Sequence, residues 1–207
     1  MEPQSTTGRA NQKLRTRTAI VRAAAELSRT GQEVTMPEVA KAALVSEATA
    51  YRYFPDLVSL LREAIVGQLP TAAEALQPVA DSADPVERVA TATEFLLRHV
   101  LARQGVVRAM IAATVVRPAE AAARPGLRFG LIDHALAPSA ESLSADPATL
   151  DQLKRDLAIV VSAEALFGLT DLHGLGSEDA IASIVHTATT LTRAALRDTE
   201  SAVGTGS

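Results

Sequence analysis

Helix-start signals recur along this chain at helix-length intervals and constrain its fold more than any other feature. Thr35-Met36-Pro37-Glu38 has the form of a capping box. Ser46-Glu47 and Asp56 set a polar cap ahead of apolar residues, and Asp84-Pro85 and Asp146-Pro147 put proline where a helix begins. Ser177-Glu178-Asp179 supplies a last cap with acids placed well for the dipole. Between the caps apolar residues keep helical spacing, as in Ile20, Val21, Ala24 and Leu27, then Leu57, Leu60, Leu61, Ile65 and Val66, then Val86, Val89, Leu96, Leu97 and Val100. Alanine supplies 40 of the 207 residues, aromatics are 3%, and β-branched residues are scattered rather than alternating. The expectation is an all-α chain.

Helices are predicted over about 14–30, 36–43, 47–54, 56–68, 84–103, 105–116, 127–136, 147–172 and 177–197, with the Pro118–Gly126 stretch ambiguous. The first dozen residues and the tail 200–207 are expected to be disordered. At 47% apolar and 21% charged, the chain has the composition of a folded protein. It contains no cysteine, so disulfides, thiolate metal sites and cysteine nucleophiles are excluded. Charges such as Arg98, Arg108, Asp133 and Glu164 interrupt every apolar stretch before the ~18 residues of a membrane span. The N-terminus has no apolar stretch of the kind a secretory signal carries, and a cytoplasmic protein without membrane association is expected.

Net charge is −4, but it is unevenly spread. Residues 1–30 carry Arg9, Lys13, Arg15, Arg17, Arg22 and Arg29 against Glu2 and Glu26, a net +4, whereas residues 67–207 carry −6. The basic end and the acidic body are suited to different partners. The second and third predicted helices are joined only by Leu44-Val45, a connection that forces the sharp crossing of a helix-turn-helix. The third helix would then be the reader, with Ala48, Thr49 and Ala50 small enough for close approach to a major groove. Both tyrosines of the chain, Tyr51 and Tyr53, fall on it, where a phenol either packs or donates to phosphate.

The run Val39-Ala40-Lys41-Ala42-Ala43-Leu44-Val45-Ser46-Glu47-Ala48-Thr49-Ala50-Tyr51-Arg52-Tyr53-Phe54-Pro55 resembles the DNA-binding signature of TetR-family transcriptional regulators, over roughly residues 15–62. The resemblance implies a three-helix DNA-binding domain followed by a helical body for effector binding and dimerisation. It also implies roles for particular residues. Ser46, Glu47, Thr49 and Arg52 become base or phosphate contacts, with Ala48 beside them; Tyr51 becomes a phosphate contact, and Thr35 a phosphate contact that doubles as a cap. Arg15 and Arg17, with Arg9 and Lys13, form either an arm along the DNA or a solvated tail. The sequence departs from the family pattern at Leu44, where glycine usually turns the chain, so the turn either avoids positive φ or is strained. It departs again at Ser28, where a large residue is usual, after Gly31, where the connection is one residue short, and at Leu57, where a basic residue often holds phosphate.

The expected divisions are a flexible basic arm over 1–13, a helix-turn-helix domain over 14–66, a ligand-binding and dimerisation domain over 67–199, and a disordered tail over 200–207. Leu153, Leu157, Val160 and Glu164 on the penultimate helix, and Ile184, Ala188 and Leu191 on the last, form stripes suited either to a homodimer seam or to core. Phe95, His99, Met110, Phe129, His134, Glu164 and Phe167 are the adaptable, aromatic or polar groups that could line an effector cavity or simply pack. Glu164, set among apolar neighbours, needs a partner, with an arginine across the dimer seam the first choice.

His99, His134, His173 and His186 show no zinc-type spacing, and neither a phosphate-binding glycine loop nor a nucleophile elbow is present, so no catalytic residue, metal or cofactor is expected. The function expected is a sequence-specific regulator bound to palindromic double-stranded DNA, a repressor released by a small-molecule effector. The alternative is a helical small-molecule-binding or interaction protein whose degenerate helix-turn-helix does not bind DNA.

Overall fold

The structure is a computed structural model that describes residues 5–31, 33–66, 68–116, 126–139 and 147–204. The chain is all-α: the described residues contain helices and no strand. They divide into two compact units, one formed by residues 1–69 and 101–125 and the other by 70–100 and 126–207.

In the first unit α1 (Ser5–Ser28), α2 (Met36–Ala42), α3 (Glu47–Tyr53), α4 (Leu57–Val66) and α7 (Gln104–Val116) share one core. Ile20 and Ala24 of α1 meet Leu60 and Leu61 of α4, all fully enclosed, with Val39 and Ala40 of α2, Ala50 of α3 and Phe54. Burying each leucine contributes roughly 1.5–3 kcal/mol. Ser28, where a larger residue was expected, is itself buried, and its hydroxyl donates to the Ala24 carbonyl 2.6 Å away. Gly31 stands at φ 70 just past α1, the left-handed geometry for which glycine is suited.

Two expectations are corrected in this unit. Ser5–Lys13 are helical rather than part of a flexible arm, because Ala10, Gln12 and Lys13 are strong helix formers and nothing before Leu14 stops a helix already held by the core. Helix α7, expected in the body, belongs here: Val106 and Met110, one turn apart, enter the same core.

The second unit holds α5 (Ala72–Ala75), most of α6 (Pro85–Ala102), α8 (Leu127–Leu136), α9 (Pro147–Val160), α10 (Ala163–Phe167) and α11 (Ser177–Gly204). Helix α5 was not anticipated. It is started by a capping box in which the Glu74 amide donates to the Thr71 hydroxyl, while the Thr71 amide and hydroxyl donate to the Glu74 carboxylate and so hold it below its ordinary pKa. Arg88 of α6 is a buried cation, only 3% exposed. It donates to the carbonyls of Val79, Ala80, Ser82, His134 and Ala135. The last two belong to the final turn of α8, where carbonyls lack helical partners and a cation complements the dipole. On the surface, Arg98 of α6 bonds Glu94 and, through both terminal nitrogens, Glu178 of α11, which lowers the Glu178 pKa through its hydrogen bonds and its charge.

The single helix expected over 147–172 is broken. The helix ends at Val160, Ser162 adopts extended φ −144 and ψ 155, and its hydroxyl accepts from the Ala165 amide to restart the chain as α10. A five-residue π-helical turn, Gly168–Leu172, follows. Helix α11 runs on to Gly204, beyond the expected end at 197 and through most of the expected disordered tail. The expected dimer seam is also corrected. Leu153, Leu157, Ile184 and Ala188 are at most 3% exposed within one chain, because α9 and α11 pack on each other. Val160 and Leu191 remain half-buried and Glu164 is exposed.

Candidate nucleic-acid interface

Helix α2 is fixed at both ends by short-range chemistry. At its start the Thr35 amide and hydroxyl donate to Glu38 Oε2 at 2.9 and 2.8 Å, while the Glu38 amide donates back to Thr35 Oγ1 at 3.4 Å. Thr35, expected to hold a phosphate while capping, therefore has both of its donors committed to Glu38. At its end the Leu44 amide donates to the Lys41 carbonyl at 3.2 Å and the Val45 amide to the Ala40 carbonyl at 3.0 Å. This is the Schellman arrangement, and it places Leu44 at φ 56. A leucine in that geometry costs about 1–2 kcal/mol. The turn therefore carries the strain that the missing glycine foretold.

Helix α3 follows at once. The Ser46 hydroxyl accepts from the Thr49 amide at 3.2 Å and shares a 2.9 Å hydrogen bond with the Thr49 hydroxyl. Ala50 is completely buried, Phe54 nearly so, and Tyr53 packs half-buried against the same core, while Glu47, Ala48, Tyr51 and Arg52 are exposed. Residues at i, i+1, i+4 and i+5 make one face of a helix. That face therefore presents an acid, a small residue, a phenol and a guanidinium together. Tyr53, expected as a DNA contact, serves the core instead, with the Arg52 guanidinium 5.6 Å from its ring centre. Asp56 caps α4 through the Ser59 amide at 2.7 Å, and Leu57 packs against the core at the position where a phosphate-binding cation was missed.

The two arginines expected to flank the reader part company. Two residues apart on a helix they point roughly 200° apart. Arg17 pairs with Glu63 of α4 and lies 5.1 Å from the centre of the Phe54 ring, clamping α1 to α4 and to the end of α3. This is a folding role that sequence reasoning missed; Glu63, unlike a charge in a motif, carried no signal. Arg15 is exposed and borders a shallow groove on α1 with Leu14, Thr18, Ala19 and Arg22.

Residues 20–64 match the family model described as bacterial regulatory proteins, tetR family. The chain carries a TetR-family DNA-binding domain. The match runs from within α1 through α2 and α3 into α4, the segment whose caps, turn and outward face have just been described. No curated protein and no solved structure matches the chain. No single helix among the described residues is long and apolar enough to cross a membrane.

Outside this domain the residues expected around an effector do not gather into one set. Met110 is in the core of the TetR-family domain's unit. In the second unit Phe95 and His99, one turn apart on α6, stack with ring centres 6.1 Å apart. Phe129 is 53% exposed, with the Arg128 guanidinium 4.8 Å from its ring centre, and Arg128 also pairs with Glu164 at 4.0 Å. The partner foreseen for Glu164 is thus an arginine of its own chain, and the carboxylate is exposed in the first turn of α10 rather than enclosed by apolar neighbours. His134 is exposed, and Phe167 is buried.

Proposed function

We propose that this TetR-family regulator binds palindromic double-stranded DNA as a homodimer and represses transcription in the cytoplasm until a small molecule held by its second unit releases it. One observation carries the DNA reading: the exposed face of α3, where Glu47, Ala48, Tyr51 and Arg52 stand together on a helix locked by a Ser46 cap and a buried Ala50 and Phe54. Such a helix enters a major groove as a rigid body. Arg52 and Glu47 offer donors and an acceptor to base edges, Tyr51 offers a hydroxyl to phosphate, and Ala48 leaves room for the approach. Ser46 and Thr49 contribute chiefly by fixing the first turn, since their hydroxyls already bond each other.

One seven-residue reader gives little specificity, which is the case for a dimer with two readers in successive grooves about 34–36 Å apart. The surface left for the partner copy is the exposed side of α11, where Ala182, Ser183, His186, Thr187 and Thr190 lie on one face and are small enough, His186 apart, for close helix approach. An effector releases the DNA only if it binds the non-matching arrangement of readers more tightly than the matching one. Phe95 with His99, and Phe129 with Arg128 and Glu164, are the aromatic and polar groups of the second unit that retain exposure for such a ligand.

The test is selection from a random duplex pool at two salt concentrations, with the mass of the bound species measured alongside. A palindrome recovered by a dimer, with binding that falls steeply with salt, supports the proposal. Recovery of no common sequence rejects it.

A further inference from the structure

Among the described residues three stand at positive φ, and the chain gives two of them to glycine, Gly31 and Gly174. The third is Leu44, which is also 92% exposed. Leucine there gains nothing from the backbone, which disfavours it, and nothing from burial, which it lacks. The strained residue sits two positions before the Ser46 cap of the reading helix, and its amide and that of Val45 are tied into the end of α2, so the turn fixes the point from which the side chain projects. Its neighbours Lys41, Ala42, Ser46, Glu47 and Ala48 are exposed and polar or small, so it does not belong to an apolar patch of the kind that docks a protein.

We infer that Leu44 is a specificity-determining residue of the DNA-reading surface, making apolar contact with the 5-methyl group of a thymine at the edge of the major groove. The inference rests on the DNA-binding reading above. Leucine has no donor or acceptor, so it reads neither the hydrogen-bond pattern of a base nor a phosphate. The apolar feature that base edges offer in the major groove is the thymine methyl. A leucine carried on the turn that delivers α3 meets that edge beside the bases addressed by Glu47 and Arg52.

The probe is the duplex that the wild-type protein selects, with each thymine of a half-site replaced in turn by deoxyuridine, which pairs identically but lacks the methyl. One replacement per half-site is expected to weaken wild-type binding about fourfold, the worth of one buried methyl-sized group. The variants Leu44→Gly and Leu44→Asn, both tolerant of left-handed geometry, lose the contact in both half-sites and are expected to bind the unmodified duplex about fifteenfold more weakly and to be indifferent to the replacement. Leu44→Gly should also melt at a higher temperature than wild type, which separates lost contact from lost folding. Wild-type binding that no deoxyuridine weakens, or a Leu44→Gly protein that binds its duplex as tightly as wild type, overturns the inference alone. A wild-type protein that selects no sequence overturns the DNA reading and the inference with it.

Discussion

At Ser46 and at Ser162 the backbone does the same thing. Each serine is extended, at φ −72 and −144, and each hydroxyl accepts from the amide three residues on, at 3.2 Å from Thr49 and 3.1 Å from Ala165. Each restarted helix carries an acid in its first turn, Glu47 or Glu164. What differs is where the new helix puts its side chains. After Ser46 only Ala50 of α3 is fully enclosed and a chemically varied face is left outside; after Ser162, Ala163, Leu166 and Phe167 all go into the core. Capping decides that a helix starts, and burial decides whether it reads or packs.

The sharpest way to break this comparison is to truncate a side chain in each restarted helix. Leu166→Ala removes a fully buried side chain and is expected to cost about 3 kcal/mol, measured by chemical denaturation. A cost under about 1 kcal/mol would show that α10 is no more a packing element than α3. Arg52→Ala, on the exposed face of α3, should leave stability within about 0.5 kcal/mol of wild type. It should nevertheless weaken duplex binding roughly tenfold, the lower end for a charged hydrogen bond. A change of stability without a change of binding would place Arg52 on the structural side, as a cover for Tyr53.

The caps themselves test the shared half of the comparison. Ser46→Ala and Ser162→Ala are each expected to cost about 1 kcal/mol of folding stability. Only Ser46→Ala should lower DNA affinity as well, because its helix is the reader and its loss frays the first turn. Equal effects on binding would mean that the body transmits its own disorder to the reader.

These two restarts also mark how far the sequence was legible. Thr35, Ser46 and Asp56 were readable as caps because each stands where the apolar period pauses, and the bonds they make are local. The break at Ser162 was invisible because Leu153, Leu157, Val160 and Phe167, at spacings of four, three and seven, stay in helical register across it. One extended residue displaces a helix without moving its apolar residues out of the core, and periodicity detects burial, not continuity. The candidate site was legible in its helix but not in its whole face: Ala50, read with Ala48 and Thr49 as a small residue facing the groove, is buried in the core, and the exposed face lies opposite it. The partners that act across the fold were not legible. Glu63 holds Arg17, Val106 and Met110 join the first core, and Arg88 gathers carbonyls from two segments, and none of these pairings leaves a spacing in the chain.

The smallest expected effect sharpens the comparison at the two first-turn acids. Glu47 and Glu164 are both exposed, so exchanging either for glutamine removes only a favourable charge at a helix start, a few tenths of a kcal/mol in each case. Glu164→Gln should additionally loosen the contact with Arg128 and leave duplex binding as it was. Glu47→Gln should change the selected sequence at one position per half-site, because a carboxylate on the reading face accepts from the amino group of cytosine and a carboxamide suits adenine. If Glu47→Gln instead strengthened binding to every duplex alike, the carboxylate would be acting only as a charge repelled by phosphate. Base reading on α3 would then fall to Arg52 and the turn that precedes it.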